Sequence, residues 1–151
     1  MFDTLLFFYL VVPLVHLIHE AGHVCMAKLH KVENTEIGIG IGPKIFDFYF
    51  KGTRIQLNII PFLGGYSSND QAGKLSHKEI ALISFGGPLF TLLSIVFFLP
   101  FWTPFQFSFS ALFVYFSLWI GIVNLIPFKI GEKRSDGWQI ASSLIQLVKN
   151  R

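Results

Sequence analysis

The sequence predicts an α-helical membrane protein with three transmembrane helices, a small β-sheet between the first and second of them, and a short C-terminal helix. The chain of 151 residues is 52% hydrophobic and contains 18 phenylalanines, whereas only 14% of its residues are charged. Average soluble proteins have about 25% charged residues. Three apolar segments are also long enough for a helix to cross a bilayer core, which takes about 20 residues at 1.5 Å each. We therefore expect one integral, multi-pass membrane domain over residues 1–151.

The three predicted spans are residues 4–28, 80–99 and 108–126. Lysines and arginines are concentrated between the first two spans and after the third, whereas the loop of residues 100–107 carries no charge. The positive-inside rule then predicts an N-terminus outside the cell and a C-terminus in the cytosol. Asp3 stands where a signal peptide would have basic residues, and no small-residue cleavage site follows. We therefore expect the first span to be retained.

The region between the first two spans has the period-two pattern of β-strands. Isoleucines alternate with glycines over residues 37–42, and phenylalanines alternate over residues 46–50. This pattern predicts a small sheet over residues 35–66. The glycine-only face would either let another backbone approach closely or mark a flexible or bulged strand. After the third span, helical spacing predicts a C-terminal helix over residues 137–149, with Asp136 near its N-cap.

The pentad His19-Glu20-Ala21-Gly22-His23 lies near the inner end of the first predicted span. On a helix its two histidines share one face and can bind one zinc ion, with Glu20 beside them as a general base. A catalytic zinc needs a third protein ligand. Asp136 lies on the same predicted side of the membrane, and Glu79 and Glu132 are competing candidates. Ionisable groups in a lipid-embedded helix are costly unless partnered, which favours a functional site.

Composition also argues against some other classes of protein. The net charge is only +3, and no basic stretch is interleaved with stacking aromatic residues, so we expect no nucleic-acid partner. The single cysteine, Cys25, excludes an internal disulfide and a cysteine-based zinc cluster.

Further short motifs follow the pentad. They are Pro61-Phe62-Leu63-Gly64-Gly65-Tyr66, Gly87-Pro88-Leu89-Phe90-Thr91, and Asn124-Leu125-Ile126-Pro127 followed by Asp136-Gly137. Together with the pentad, and in this order, they resemble the motifs of the site-2 protease family of intramembrane zinc metalloproteases. The resemblance extends through most of the chain. The pentad combined with the Asp-Gly match is highly specific, whereas the glycine motifs are weak alone.

The resemblance implies a role for each matched residue. His19, His23 and Asp136 would bind one catalytic Zn²⁺. Glu20 would be the general base, and Asn124 would position the substrate or stabilise the oxyanion. The substrate would be a membrane-inserted protein or peptide, cleaved near the cytosolic side of a prokaryotic cell membrane. Either the glycine-faced strand or the region of Gly64 and Gly65 would pair with the unwound substrate by strand addition.

Two departures from the family pattern concern the site. Thr91, which the resemblance places with Asn124 among the residues that contact the substrate or the oxyanion, stands where the family usually has asparagine, and its hydroxyl reaches less far than an amide. The stretch between Pro127 and Asp136 is longer than in the family, which leaves Glu132 as an alternative third ligand.

Two other functions stay open. One is a membrane-bound zinc protease with a glutamate ligand that acts on soluble peptides, and the other is a non-catalytic homologue that binds a peptide in the membrane. The sequence does not predict the oligomeric state.

Overall fold

The computed structural model of the chain describes residues 2–69, 75–102 and 108–149. Its elements are, in chain order, α1 (Phe2–Leu6), a π-helical segment (Phe7–Val11), α2 (Val12–Leu29), β1 (Thr35–Phe50), β2 (Thr53–Asn69), α3 (His77–Phe98), a 3₁₀ turn (Leu99–Phe101), α4 (Phe109–Leu125), β3 (Lys129–Ile130), β4 (Lys133–Arg134) and α5 (Asp136–Lys149). This order confirms the predicted succession of an apolar helix, a small sheet, a second apolar helix and a C-terminal helix.

Two helices are long and apolar enough to cross a membrane, judged by length and composition alone. They are Thr4–Leu29 and His77–Phe101, so a slightly longer helix covers each of the segments 4–28 and 80–99 that were predicted to span a membrane. The third predicted span, 108–126, corresponds to α4, an apolar helix of 17 residues. Residues 103–107 of the predicted uncharged loop and the side chain of Asp3 lie outside the described part of the chain.

The first apolar helix changes its hydrogen bonding directly before Pro13. Proline has no N–H, so it cannot bond to the carbonyl four residues earlier, that of Tyr9. In the preceding π-helical segment the Val12 N–H bonds to the Phe7 carbonyl, five residues back. Adjustments of this kind let a proline remain inside an apolar helix. The irregularity ends about two turns before His19, where regular α-helix has resumed.

The helices α2 and α3 approach each other most closely at Gly22 and Gly86. A Cβ atom built on either glycine would collide with the backbone of the other. Small residues at a helix crossing permit this distance, because no side chain separates the backbones. The crossing places Gly87 of α3 beside His23 of α2. Helix α4 packs further toward the N-terminus of the first helix, where Phe113 is fully buried against Val11 and Val15.

The sheet consists of the two long strands β1 and β2. Different parts of each strand take part in different pairings. Residues 35–39 of β1 pair in parallel with residues 53–57 of β2, and on their other side they pair with residues 65–69, where Ile39 lies opposite Gly65. The remainder of β1 forms a hairpin with β2, with Phe50 opposite Thr53. Strand β2 runs to Asn69, so the sheet extends beyond its predicted end at residue 66. Residues 65–69 form an edge of the described sheet.

The glycine-only face of β1 is covered by the chain itself. The ring of Tyr66 lies against Gly38, in the space that a Cβ atom would occupy. Gly40, with φ of +78°, lies against the backbone of Ile60 and Pro61. The glycines therefore accommodate close approach within the sheet, and the positive φ values of Gly40 and Gly42, with the shift of register between Ile39 and Ile41, show that the strand is also irregular there.

Ser135, and not Asp136, caps the C-terminal helix. Its hydroxyl oxygen accepts hydrogen bonds from the N–H groups of Trp138 at 3.1 Å and Phe128 at 3.0 Å, and it donates to the Ile126 carbonyl at 2.7 Å. Serine is as good an N-cap as aspartate, and Asp136, predicted near the N-cap, is the first residue of the helix. Because Ser135 caps the helix, the carboxylate of Asp136 is not needed as a cap. It lies toward α2, where it contacts His19.

Candidate metal centre

Three side chains from opposite ends of the chain converge at one point. The Nε2 atom of His19 lies 3.3 Å from Nε2 of His23 and 3.1 Å from Oδ2 of Asp136, and His23 Nε2 lies 3.4 Å from Asp136 Oδ1. Each of these residues is at most 9% exposed. Among the described residues, they form the group of histidine and acidic side chains that is close enough to hold a metal ion.

The separations between these atoms fit a tetrahedral zinc ion. Bonds of about 2.0–2.1 Å from zinc to nitrogen or oxygen require edges of about 3.3–3.4 Å between neighbouring ligand atoms. The two Nε2 atoms are 3.3 Å apart, and each lies 3.1 to 3.4 Å from one of the two Asp136 carboxylate oxygens, Oδ2 for His19 and Oδ1 for His23. Two imidazoles and one carboxylate are also the type of donor set that leaves a fourth zinc position open. The residues present therefore fit zinc in both geometry and chemistry.

The second nitrogen of each histidine is hydrogen-bonded away from this point. His23 Nδ1 donates to the Ile83 carbonyl at 2.8 Å. The backbone nitrogen of Gly87 is also 3.3 Å from this Nδ1, but the shorter contact is to a carbonyl that can only accept. His19 Nδ1 lies 3.0 Å from the Thr91 hydroxyl, which itself donates to the Gly87 carbonyl at 2.8 Å and so accepts from His19. Both Nε2 lone pairs are thereby directed at the shared point.

The carboxylate of Asp136 is ionised at neutral pH. Burial raises its pKa, but the close contacts of the carboxylate with the imidazoles of His19 and His23 have the opposite effect, and the resulting pKa lies below the ordinary value. An ionised carboxylate is the form that binds a metal.

Glu20 is buried beside the cluster without belonging to it. It faces the end of β2, where a Cβ atom on Gly65 would lie 3.2 Å from Glu20 Cγ and 3.4 Å from Oε1. A residue with a side chain at position 65 would therefore press on this carboxylate. The absence of a side chain at Gly65 lets the edge of the sheet approach Glu20 closely.

An open cavity of about 520 Å³ connects these groups. One end of its wall contains His19, Glu20, His23 and Asp136, together with Asn124. The side-chain amide of Asn124 donates to the Ile120 carbonyl at 2.9 Å. The edge of β2 supplies another part of the wall through residues 65–69, and the β3–β4 hairpin supplies a third. Asn124 and Gly65 are therefore both part of the wall of this cavity.

Other predicted residues lie away from the cavity. Thr91 is fully buried behind His19 and is not part of the cavity wall. Gly64 has a φ of +90° and open space around it. Glu132 is exposed in the turn of the β3–β4 hairpin, and Glu79 caps α3 through Ser76 and lies 3.8 Å from His30. Of the three candidate acidic ligands, the fold brings Asp136 to the histidines.

The apolar helices and a His–His–Asp cluster beside a glutamate are the features of a membrane-associated metallopeptidase. Residues 7–106 match peptidase family M50, and the chain belongs to this family. The resemblance to site-2 proteases, inferred from the motifs, is thereby confirmed at the level of the family.

Individual relatives agree with this assignment. Two proteins named "Putative zinc metalloprotease", from Thermotoga maritima and Borreliella burgdorferi, are each 34% identical to the chain, over 106 and 109 residues respectively. These matches cover 60% and 59% of the chain but only 21% and 25% of the relatives. The chain thus matches a quarter or less of the length of these relatives. The family and the names support a zinc metalloprotease.

Proposed function

We propose that this chain is an intramembrane zinc metalloprotease that hydrolyses a peptide bond of a membrane-inserted substrate near the cytosolic side. The observation that carries the proposal is the convergence of His19, His23 and Asp136 with the separations of tetrahedral zinc ligands. A buried glutamate lies directly beside them, and all of these groups face one open cavity.

In this proposal each side chain has one task. His19, His23 and Asp136 hold the metal, which would polarise a water molecule and the scissile carbonyl. Glu20 accepts a proton from the attacking water and delivers it to the leaving amine, as a buried carboxylate at the cavity wall can do. Asn124 lines the same wall, where its amide would bind the substrate carbonyl as negative charge develops on its oxygen.

The proposed topology places the site within the bilayer. Three helices, including α4, would cross the membrane, with the N-terminus outside and the C-terminus in the cytosol. His19 would then lie about 22 Å along a helix that begins at Thr4. In a hydrocarbon core about 30 Å thick, this is about 8 Å from the cytosolic boundary. Lysines and arginines of the sheet region and the C-terminal region support this orientation.

The edge of β2 is the proposed docking strand for the substrate. Residues 65–69 pair with residues 35–39 on one side, and they line the cavity. A peptide bond inside a helix is not accessible to attack, so the substrate must unwind, and its freed backbone groups then need partners. Strand addition to this edge would supply those partners beside Glu20. The glycine face of β1 is less suited to this task, because Tyr66 and β2 already cover it.

Replacing Glu20 with glutamine tests the enzymatic proposal. We expect cleavage to fall by at least about 100-fold, because an amide cannot transfer the proton, while zinc binding is retained. The readout is the cleavage product formed when each variant is co-expressed with candidate single-span membrane proteins. Glu132→Gln is the matched control and should cleave like the wild type. Undiminished cleavage by the Glu20→Gln variant would contradict the proposed chemistry.

Thr91 is proposed to position His19. Valine has nearly the same shape but would leave the buried His19 Nδ1–H without an acceptor. We therefore expect Thr91→Val to weaken zinc binding by about 10- to 100-fold, as removal of such outer partners does. Chelator competition with the purified protein in detergent measures this, and Thr91→Ser, which retains the hydroxyl, should bind zinc nearly as well as the wild type. Equal zinc affinity in the valine variant would refute the positioning role.

A further inference from the structure

The β3–β4 hairpin places two cations on the wall of the proposed active-site cavity. The hairpin spans residues 129–134, within the stretch that is longer than in the family pattern. Its register sets Lys129 opposite Arg134 and Ile130 opposite Lys133. Lys133 and Arg134 both line the cavity that contains Glu20 and Asp136, whereas Lys129 does not.

Lys133 and Arg134 form no ion pair within the described part of the chain. Within residues 2–69, 75–102 and 108–149, no carboxylate lies within ion-pair distance of Lys133 or Arg134. Like charges directly opposite each other on paired strands are destabilising, and Lys129 and Arg134 form such a pair. Glu132 lies in the turn of the same hairpin and is not part of the cavity wall. An arrangement of this kind is suited to an anionic ligand in the cavity.

The surroundings of these cations favour a carboxylate of a peptide. Ser68, Asn69 and Gln139 lie on the same cavity wall and provide neutral hydrogen-bonding groups. Arg134, Asn69 and Gln139 also border a second cavity of about 410 Å³ beside α3 and α5. The two cavities thus share a polar boundary, along which a peptide can extend away from the metal centre. An arginine on this path can bind a carboxylate through two parallel hydrogen bonds.

The chain limits how far this contact can lie from the scissile bond. Arg134 precedes the metal-facing Asp136 by two residues, and two residues span at most about 7 Å. The guanidinium group of Arg134 can therefore contact only substrate residues that lie within a few residues of the cleaved bond. Cations that only oriented the protein in the membrane would have no need to line the cavity.

We propose that Lys133 and Arg134 form a subsite for a carboxylate of the substrate peptide, on the flank that leaves the cavity toward α3 and α5. The carboxylate belongs either to an aspartate or glutamate side chain or to the C-terminus of the peptide. The subsite rests on the proposed protease function and defines which substrates the site accepts.

Peptide binding tests the subsite without requiring catalysis. The Glu20→Gln variant of the chain in detergent is titrated into fluorescein-labelled peptides that consist of an apolar segment and a polar flank. A single Asp, Asn or Lys is placed at successive flank positions, and a further pair carries a free or an amidated C-terminus. We expect one aspartate position, or the free C-terminus, to bind about 5-fold more tightly than its neutral counterpart, the upper range for a partly exposed ion pair.

Hairpin variants then assign the preference to specific side chains. Lys133→Gln combined with Arg134→Gln should abolish the preference for the carboxylate. Lys129→Gln removes the same charge from the same hairpin without altering the cavity wall, and it should retain the preference. The combined Lys133→Glu and Arg134→Glu changes should favour the lysine peptide, and circular dichroism establishes that each variant is folded. A preference that is absent from the Glu20→Gln protein, or that survives the double glutamine variant, overturns the proposal.

Hydrolysis of the same peptides by the zinc-loaded chain with Glu20 intact separates the subsite from the protease function. Cleavage with equal kcat/KM for aspartate and asparagine peptides would overturn the subsite and leave the protease function intact. A carboxylate preference in binding without any hydrolysis would support the subsite and count against the protease.

Binding to phosphatidylglycerol vesicles tests whether the two cations contact lipid instead of peptide. If the double glutamine variant loses affinity for these vesicles but binds all peptides as before, the two cations contact lipid and the proposal is wrong.

Discussion

Replacing Asp136 with alanine is expected to remove zinc from the protein. Asp136 supplies the oxygen atoms that lie 3.1 Å from His19 Nε2 and 3.4 Å from His23 Nε2. Without it, two imidazoles one helical turn apart remain as the only protein ligands in this cluster. Loss of an outer partner alone weakens metal binding by about 10- to 100-fold, so loss of a direct ligand should exceed about 100-fold. The measurement is zinc content of the purified chain, together with affinity by chelator competition.

Glu132→Gln is the matched control for this change. Glu132 lies in the exposed turn of the hairpin before Asp136, so its removal should leave zinc content unchanged. Zinc loss with Glu132→Gln and retention with Asp136→Ala would show that a glutamate is the third ligand. That result would favour the alternative of a membrane-bound zinc protease acting on soluble peptides.

Replacing Gly87 with alanine is expected to abolish zinc binding without unfolding the chain. A Cβ atom at this position would collide with Nε2 of His23 and would lie 2.9 Å from Nε2 of His19. The added methyl would thus occupy space next to both metal-binding nitrogens. Helix α3 cannot easily move away, because Gly86 is already in close contact with the backbone of Gly22. Zinc content and cleavage activity should both fall to background, while far-UV circular dichroism remains that of the wild type.

Gly121→Ala provides a comparison for Gly87→Ala in another apolar helix. The three atoms nearest to a Cβ atom at Gly121 would all belong to the side chain of Leu92, which can change rotamer. We expect this variant to retain zinc and activity, with a modest loss of stability. If Gly87→Ala instead binds zinc like the wild type, the two histidines do not share a metal at the observed position.

Local features of the chain were readable from sequence because they depend on short-range geometry. Helix length and apolar composition predicted α2 and α3, and period-two alternation predicted the sheet. The pentad could be interpreted because residues four apart on a helix share a face. The sequence placed Asp136 near the N-cap of α5 but did not identify Ser135 as the cap, because the two residue types are comparable N-caps.

The pairing of distant residues depended on the tertiary fold. His19 meets Thr91, 72 residues away, only because Gly22 and Gly86 let α2 and α3 approach closely. Thr91 therefore accepts a hydrogen bond from His19. The resemblance of its motif to the family had instead suggested that Thr91 contacts the substrate. Similarly, the glycine face of β1 is filled by Tyr66, a residue from the far end of β2. Neither contact has a periodic signal in the sequence, because each joins segments that are far apart along the chain.

The sequence by itself determined the apolar helices, the small sheet and the two histidines with Glu20 on one helix. The sequence left Asp136, Glu132 and Glu79 as candidates for the third zinc ligand. Only the tertiary structure showed which of these carboxylates lies beside the two histidines. The hairpin of residues 129–134 and the Ser135 cap together orient the start of α5, so that Asp136 reaches the histidines 117 and 113 residues earlier in the chain. Helical spacing acts over about one turn, whereas the position of a third ligand depends on packing between separate elements.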